Sequence, residues 1–234
     1  MKIEVFASSS VGNCYSISNG REVLLIECGI PVKKIKQAMG FTLSSAVGCL
    51  CSHNHGDHAK AAKDVAAAGV DLYTSQGTID ALGLTGHRVH TIKARQTVQI
   101  GPFQVMPFET IHDAAEPLGF LIASGGAKLL FATDTAFLPY KFPNLTHLMI
   151  ECNYQVDILA RNVASGEVTM AQKERLLFSH SSLGNTLQFL ANQDLSQVRE
   201  IHLLHLSAGN SDAATMKRAV MAATGRPVYI AKEK

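Results

Sequence analysis

The 234-residue chain lacks several features that would each have placed it in a different class of protein. It has no Cys-x-x-Cys pair, and its five cysteines (Cys14, Cys28, Cys49, Cys51 and Cys152) are odd in number. That excludes a fully paired disulfide framework and fits a reducing compartment, the cytoplasm. Cys49 and Cys51 have one residue between them, poor spacing for a zinc half-site, and are expected in the core. No apolar run is long enough to cross a bilayer. Met1 to Phe6 alternates like a strand and has no secretion core. No Pro/Gly/Ser-rich linker, block of like charge or solenoid-period repeat interrupts the chain, so one domain over residues 1–234 is expected. A net charge of +2 is too mild to mark a nucleic-acid binder by itself. The lysines at 33, 34 and 36 and at 60 and 63 read as solvated helix faces, and nothing signals an obligatory protein partner.

What the chain does have is apolar content, 47% of its residues, enough for a large core. Short apolar or alternating runs predict strands at about 2–7, 13–18, 21–26, 46–50, 71–74, 97–100, 103–109, 118–124, 127–132, 146–150, 200–204 and 227–231. Helical periodicity predicts helices near 31–39, 59–69, 76–83, 168–176, 184–192 and 211–223, with Ser75 and Ser211 as caps. Strand runs interrupted by helices point to the α+β class.

The densest chemistry is His53-Asn54-His55-Gly56-Asp57-His58, in the turn between the apolar strand 46–50 and the Ala-rich helix that follows. Residues two apart in an extended turn point the same way, so His53 and His55 can converge on one metal ion. Asp57 and His58 come where the helix begins, with Asp57 a candidate N-cap, and project differently, towards a second ion. Imidazole and carboxylate without thiolate suit Zn, Mn or Fe. One loop cannot complete two coordination shells. Further donors are expected at strand ends: His112 after 103–109, Asp134 after 127–132, and His202 or His205 in 200–207.

Together these residues resemble the metallo-β-lactamase superfamily. The shared order is a strand ending in an acid (Glu27), His-x-His-x-Asp-His (His53 to His58), a lone His (His112), a lone Asp (Asp134) and a final His (His205). Ser8-Ser9-Ser10-Val11-Gly12-Asn13-Cys14-Tyr15, His112-Asp113-Ala114, Pro117-Leu118-Gly119-Phe120, Glu151-Cys152-Asn153 and Leu204-His205-Leu206-Ser207 are similar to a YycJ/WalJ-type subgroup regarded as DNA exonucleases. The resemblance implies a four-layer αβ/βα sandwich. It implies two divalent metal ions, Zn or Mn with Fe as an option, held by His53, His55 and His112 and by Asp57, His58 and His205, with Asp134 bridging. It implies Glu27 as a brace behind the ligands, though the usual residue there is Asp, and His180 beside the metals without binding them.

The function this implies is phosphodiester hydrolysis on DNA by metal-activated hydroxide. Asp57 would orient the attacking water and His180 act as general acid. Ser9, Ser10 and Asn13 are candidate phosphate contacts. Two other classes are weighed. One is a hydrolase of a thioester or lactam; Asp134 and His180 argue against it. The other is an inactive, metal-stabilised nucleic-acid-binding module, which the full ligand set disfavours. The histidines at 87, 90, 147 and 202 have no motif around them and read as surface or core-edge residues.

Overall fold

The computed structural model describes residues 1–231. The chain divides into two compact units, Met1–Glu109 with Ala114–Ala127, and Thr110–Asp113 with Lys128 to Ala231.

The first unit opens with strands β1 (Lys2–Ser9), β2 (Gly12–Ser18), β3 (Val23–Ile26), β4 (Gly48–Leu50), β5 (Leu72–Thr74) and β6 (Val89–Thr91), hydrogen-bonded in that order. The loops after β1 and β2 are short, so β1, β2 and β3 pair antiparallel. From β3 onward helical segments intervene, and β3 to β6 pair parallel. These helices are α1 (Val32–Ala38), α2 (Gly56–Ala59), α3 (Ala62–Ala67) and α4 (Gln76–Leu82). The parallel strands carry unbroken apolar runs such as Leu24-Leu25-Ile26, all fully buried. One core of this unit gathers Cys14, Leu25, Cys28, Ile35, Cys49, Cys51, Val65 and Leu72. All five cysteines are free and buried, with Cys49 and Cys51 in the core as expected. A second group, β7 (Val98–Ile100), β8 (Phe103–Glu109) and β9 (Leu118–Ser124), forms an antiparallel meander.

The second unit is a parallel sheet of β10 (Ala127–Ala132), β11 (His147–Glu151), β12 (Glu200–Leu204) and β13 (Val228–Ile230). Its helices are α5 (Val156–Ala164), α6 (Met170–Ser179), α7 (Leu183–Ala191) and α8 (Ala213–Thr224). Thr169 and Gln172 form a capping box on α6, and the Ser182 hydroxyl accepts from Asn185 N to cap α7.

Several local expectations need correction. The single helix expected over 59–69 is two short ones, broken where Ala61 N bonds to the Cys28 carbonyl. Asp57 is not the N-cap of α2; His55 holds that place and Asp57 lies in the first turn. Asp212, not Ser211, caps α8, while the Ser211 hydroxyl donates to Ser207 O. No helix is expected between 83 and 168, yet Val156–Ala164 forms α5. β6 is three residues long, too short for alternation to register.

Candidate metal centre

In the first unit the His-rich turn is pinned from several sides. Glu27 N pairs with Leu50 O (2.8 Å), Leu118 N with Ser52 O (3.0 Å), and Cys28 N with His58 O (2.8 Å). The Thr74 hydroxyl donates to Cys51 O (2.8 Å), and Asn54 Oδ1 accepts from Ala115 N (2.9 Å). A side chain at Gly29 would put its Cβ 1.6 Å from the Asp57 carbonyl oxygen, so this close approach requires glycine. The rings of His53 and His55 lie 4.8 Å apart, and those of His53 and His58 4.2 Å apart. His53 Nδ1 is 2.8 Å from the Ser52 hydroxyl.

Fully buried Glu27 sits behind this turn. Its Oε2 accepts from Ser52 N (3.4 Å) and lies 3.6 Å from His58 Nδ1. Asn13 is equally buried. The Tyr15 hydroxyl donates to Asn13 Oδ1 (3.0 Å), which aims Nδ2 at Asp57 O (3.2 Å), Asp57 Oδ2 (3.4 Å) and His58 Nε2 (3.2 Å). Ser9 is tied to Asn13 through Ser9 N to Asn13 Oδ1 (3.2 Å), and Ser10 is exposed on the turn.

In the second unit the donors follow strand ends. Asp134 lies two residues past β10 and His205 one past β12; both take positive φ, 41° and 53°. Glu27, just past β3, does the same with φ 64°. A left-handed backbone at three non-glycine residues, each just past a strand, is local strain of the kind that functional sites hold in place. His112 Nδ1 donates to Ser179 O (2.8 Å), leaving Nε2 as the basic nitrogen, 3.5 Å from Asp134 Oδ2. Asp134 Oδ1 accepts from the Thr133 hydroxyl (2.7 Å) and is 3.3 Å from His205 Nδ1.

The sequence reading missed the residue that organises this cluster. Glu151, at the end of β11 and 3% exposed, places Oε1 2.6 Å from His180 Nδ1 and 3.2 Å from His205 Nδ1. Its Oε2 accepts from Thr135 N and Ser181 N, each at 3.0 Å. The available signal was its place at the end of an apolar strand, as with Glu27; the sequence marks Glu151 only as part of the resemblance motif Glu151-Cys152-Asn153 and assigns it no role. Asp134, Glu151, His180 and His205 each offer a ligand atom within 4.8 Å of the others.

The electrostatics follow from these pairs. Burial alone would lower the His180 pKa, but the Glu151 carboxylate outweighs it and holds the imidazole above its ordinary value. Burial would raise Glu151, and the paired His180 brings it below the usual carboxylate range. At His112 burial prevails over Asp134 and the pKa is lowered, which keeps the ring neutral as a ligand.

The donor chemistry fits divalent metal. Each unit supplies imidazoles with carboxylates close by, and none of these groups is Lys or Arg. Buried carboxylates at such density call for compensating positive charge. His112 and His205 each turn Nδ1 to a carbonyl or carboxylate, the outer partner that metal-bound histidines use.

The Beta-lactamase superfamily domain model matches residues 22–203, and the chain belongs to that family. It is 27% identical to the exodeoxyribonuclease YycJ of Bacillus anthracis, over 90% of this chain and 84% of that one. It is 25% identical to the exodeoxyribonuclease WalJ of Streptococcus pneumoniae, over 90% and 83% respectively. Among solved structures, the metallo-beta-lactamase fold protein YhfI of Bacillus subtilis aligns with TM-score 0.74 and 18% identity, over 99% of this chain and 96% of that one. The α+β, metallo-β-lactamase fold read from the sequence is thus the fold of the chain. With the donor groups above, it is a metal-dependent hydrolase that uses divalent cations.

Proposed function

We propose that the protein is a nuclease that hydrolyses phosphodiester bonds in DNA, acting from strand ends. The observation that carries this reading is the Glu151–His180 pair beside Asp134 and His205: a proton held on an imidazole next to a metal-type donor set. The names of relatives that align over 90% of the chain support it.

The two donor sets act together on two ions, and the two units work as one domain over residues 1–234. His53, His55 and His112 would hold one ion and Asp57, His58 and His205 the other, with Asp134 as the donor available to both. Zn or Mn suits the donors, with Fe as the next choice. When bound, such ions lower the pKa of water and offset phosphate charge. The chain's own residues do the rest. Asp57, braced by Asn13, orients the attacking water. Glu27 steadies His58 from behind. His180, its Nδ1 on Glu151, presents Nε2 to the leaving oxygen and gives it the proton as the P–O bond breaks. Ser9 and Ser10 stand as phosphate contacts, while buried Asn13 acts through Asp57. Five free thiols fit a reducing cytoplasm.

The test is metal-loaded protein with end-labelled single- and double-stranded DNA and RNA, beside a chromogenic lactam and a thioester. Stepwise loss of nucleotides from DNA is expected. Turnover of the lactam or thioester with DNA untouched would reject the reading.

A further inference from the structure

The second unit holds a cavity of about 560 Å3 that the mechanism above does not use. Phe137, Tyr140 and Lys141 line one side, and Asn185, Gln188 and Asn192 the other. Phe137 is 51% exposed, so a ring face is available for stacking. Gln188 and Asn192 stand four residues apart, at the end of α7 and its C-cap, and share a helix face. Asn192 donates to Gln188 O (2.9 Å), which leaves its own Oδ1 and the whole Gln188 amide for a ligand.

The walls are tied to one another and to the candidate site. Gln193 donates to Tyr140 O and accepts from Phe142 N, both at 2.9 Å, clamping the 137–142 loop to the end of α7. Asn185 donates to Ala136 O (2.9 Å). The Thr135 hydroxyl donates to Phe137 O (2.9 Å), while Thr135 N is held by Glu151. Phe137 follows Asp134 by three residues, at most about 10 Å of chain. The pocket is therefore built before a ligand arrives, within one or two nucleotides of the acid pair.

We propose that this cavity is a nucleobase subsite, which seats an unpaired base of the strand being cleaved. The proposal rests on the phosphodiesterase reading. An aromatic face for stacking, side-chain amides for a base edge and one lysine for a neighbouring phosphate make up a single-strand binding set. A single cation is too little for a site that binds phosphate alone. A base stacked within a duplex cannot enter, so the strand end must fray or be single-stranded.

The test measures affinity of the metal-loaded protein for a fluorescent, phosphorothioate-linked single strand, beside an abasic strand of equal length. Phe137→Ala should weaken the normal strand roughly 5- to 150-fold and leave the abasic strand unchanged. Gln188→Ala, at an exposed position, should weaken it in the same base-dependent way. Hydrolysis of bis(p-nitrophenyl) phosphate, which has no base, should be unaffected by either change. Equal affinity for normal and abasic strands in the parent protein, or normal-strand affinity unaltered in both variants, would overturn the subsite. Failure to hydrolyse any phosphodiester would instead overturn the nuclease reading, while the binding comparison still decides the pocket.

Discussion

Glu151 is one carboxylate with four partners, and its oxygens divide the work. Oε2 is fixed by two backbone amides, while Oε1 faces His180 and His205. Because Glu151 raises the His180 pKa, His180, if it is the general acid proposed above, stays protonated to higher pH, and activity should fall only as pH rises through that raised value. Glu151→Gln removes the charge and keeps the shape. Its basic limb should move to lower pH, with activity roughly 10- to 100-fold lower. A kcat profile against pH checks this, and an unmoved limb would remove Glu151 from the acid's control. The candidate donors from His53 to His58 were legible because their spacing is itself a chemical statement. Glu151 was not, because an acid at a strand end reads the same whether it caps, pairs or braces.

At the scale of elements, β4, the 51–56 turn and α2 are held against Cys28 and Gly29 with no room to spare. Gly29→Ala should displace the Asp57–His58 peptide, cost about 1–3 kcal/mol in denaturant unfolding and reduce metal content. Stability unchanged and metal content unchanged would show that the loop yields freely. β11 gives a separate prediction. His147, expected at the surface or a core edge, is 3% exposed within the strand, where burial lowers its pKa to about 4. A histidine whose folded pKa is lowered contributes stability above its unfolded value of about 6.5. That contribution is lost as pH falls from there through about 4. Unfolding free energy should decline over that window by at most about 1.4 kcal/mol per pH unit from this group. The slope should flatten in His147→Leu, as urea titrations at several pH values would show. Strands β8, β9 and β10 were read with their observed bounds because alternation and apolar runs are strong there. α5 was missed because its nine residues give little more than two turns of pattern, and the 59–69 helix was over-read because the Cys28 carbonyl that breaks it is distant in sequence.

At the scale of the whole molecule, the order of acids and histidines along the chain marked the fold, with Glu27, Asp134 and His205 each standing just past an apolar strand. The division into two compact units was not legible, because no linker composition marks it. If the units serve one domain, as proposed, heating should give a single transition with matching calorimetric and van't Hoff enthalpies; two resolved transitions would separate them. Among the described residues no helix is long and apolar enough to cross a membrane. The claim on which the mechanism turns is that Asp134 joins donors from distant parts of the chain around two ions. Elemental analysis of the parent protein and Asp134→Ala, with DNA hydrolysis read on the same samples, addresses it most directly. The account predicts two ions per chain in the parent, with one or none and no hydrolysis in the variant. Two ions and full activity in Asp134→Ala would contradict it.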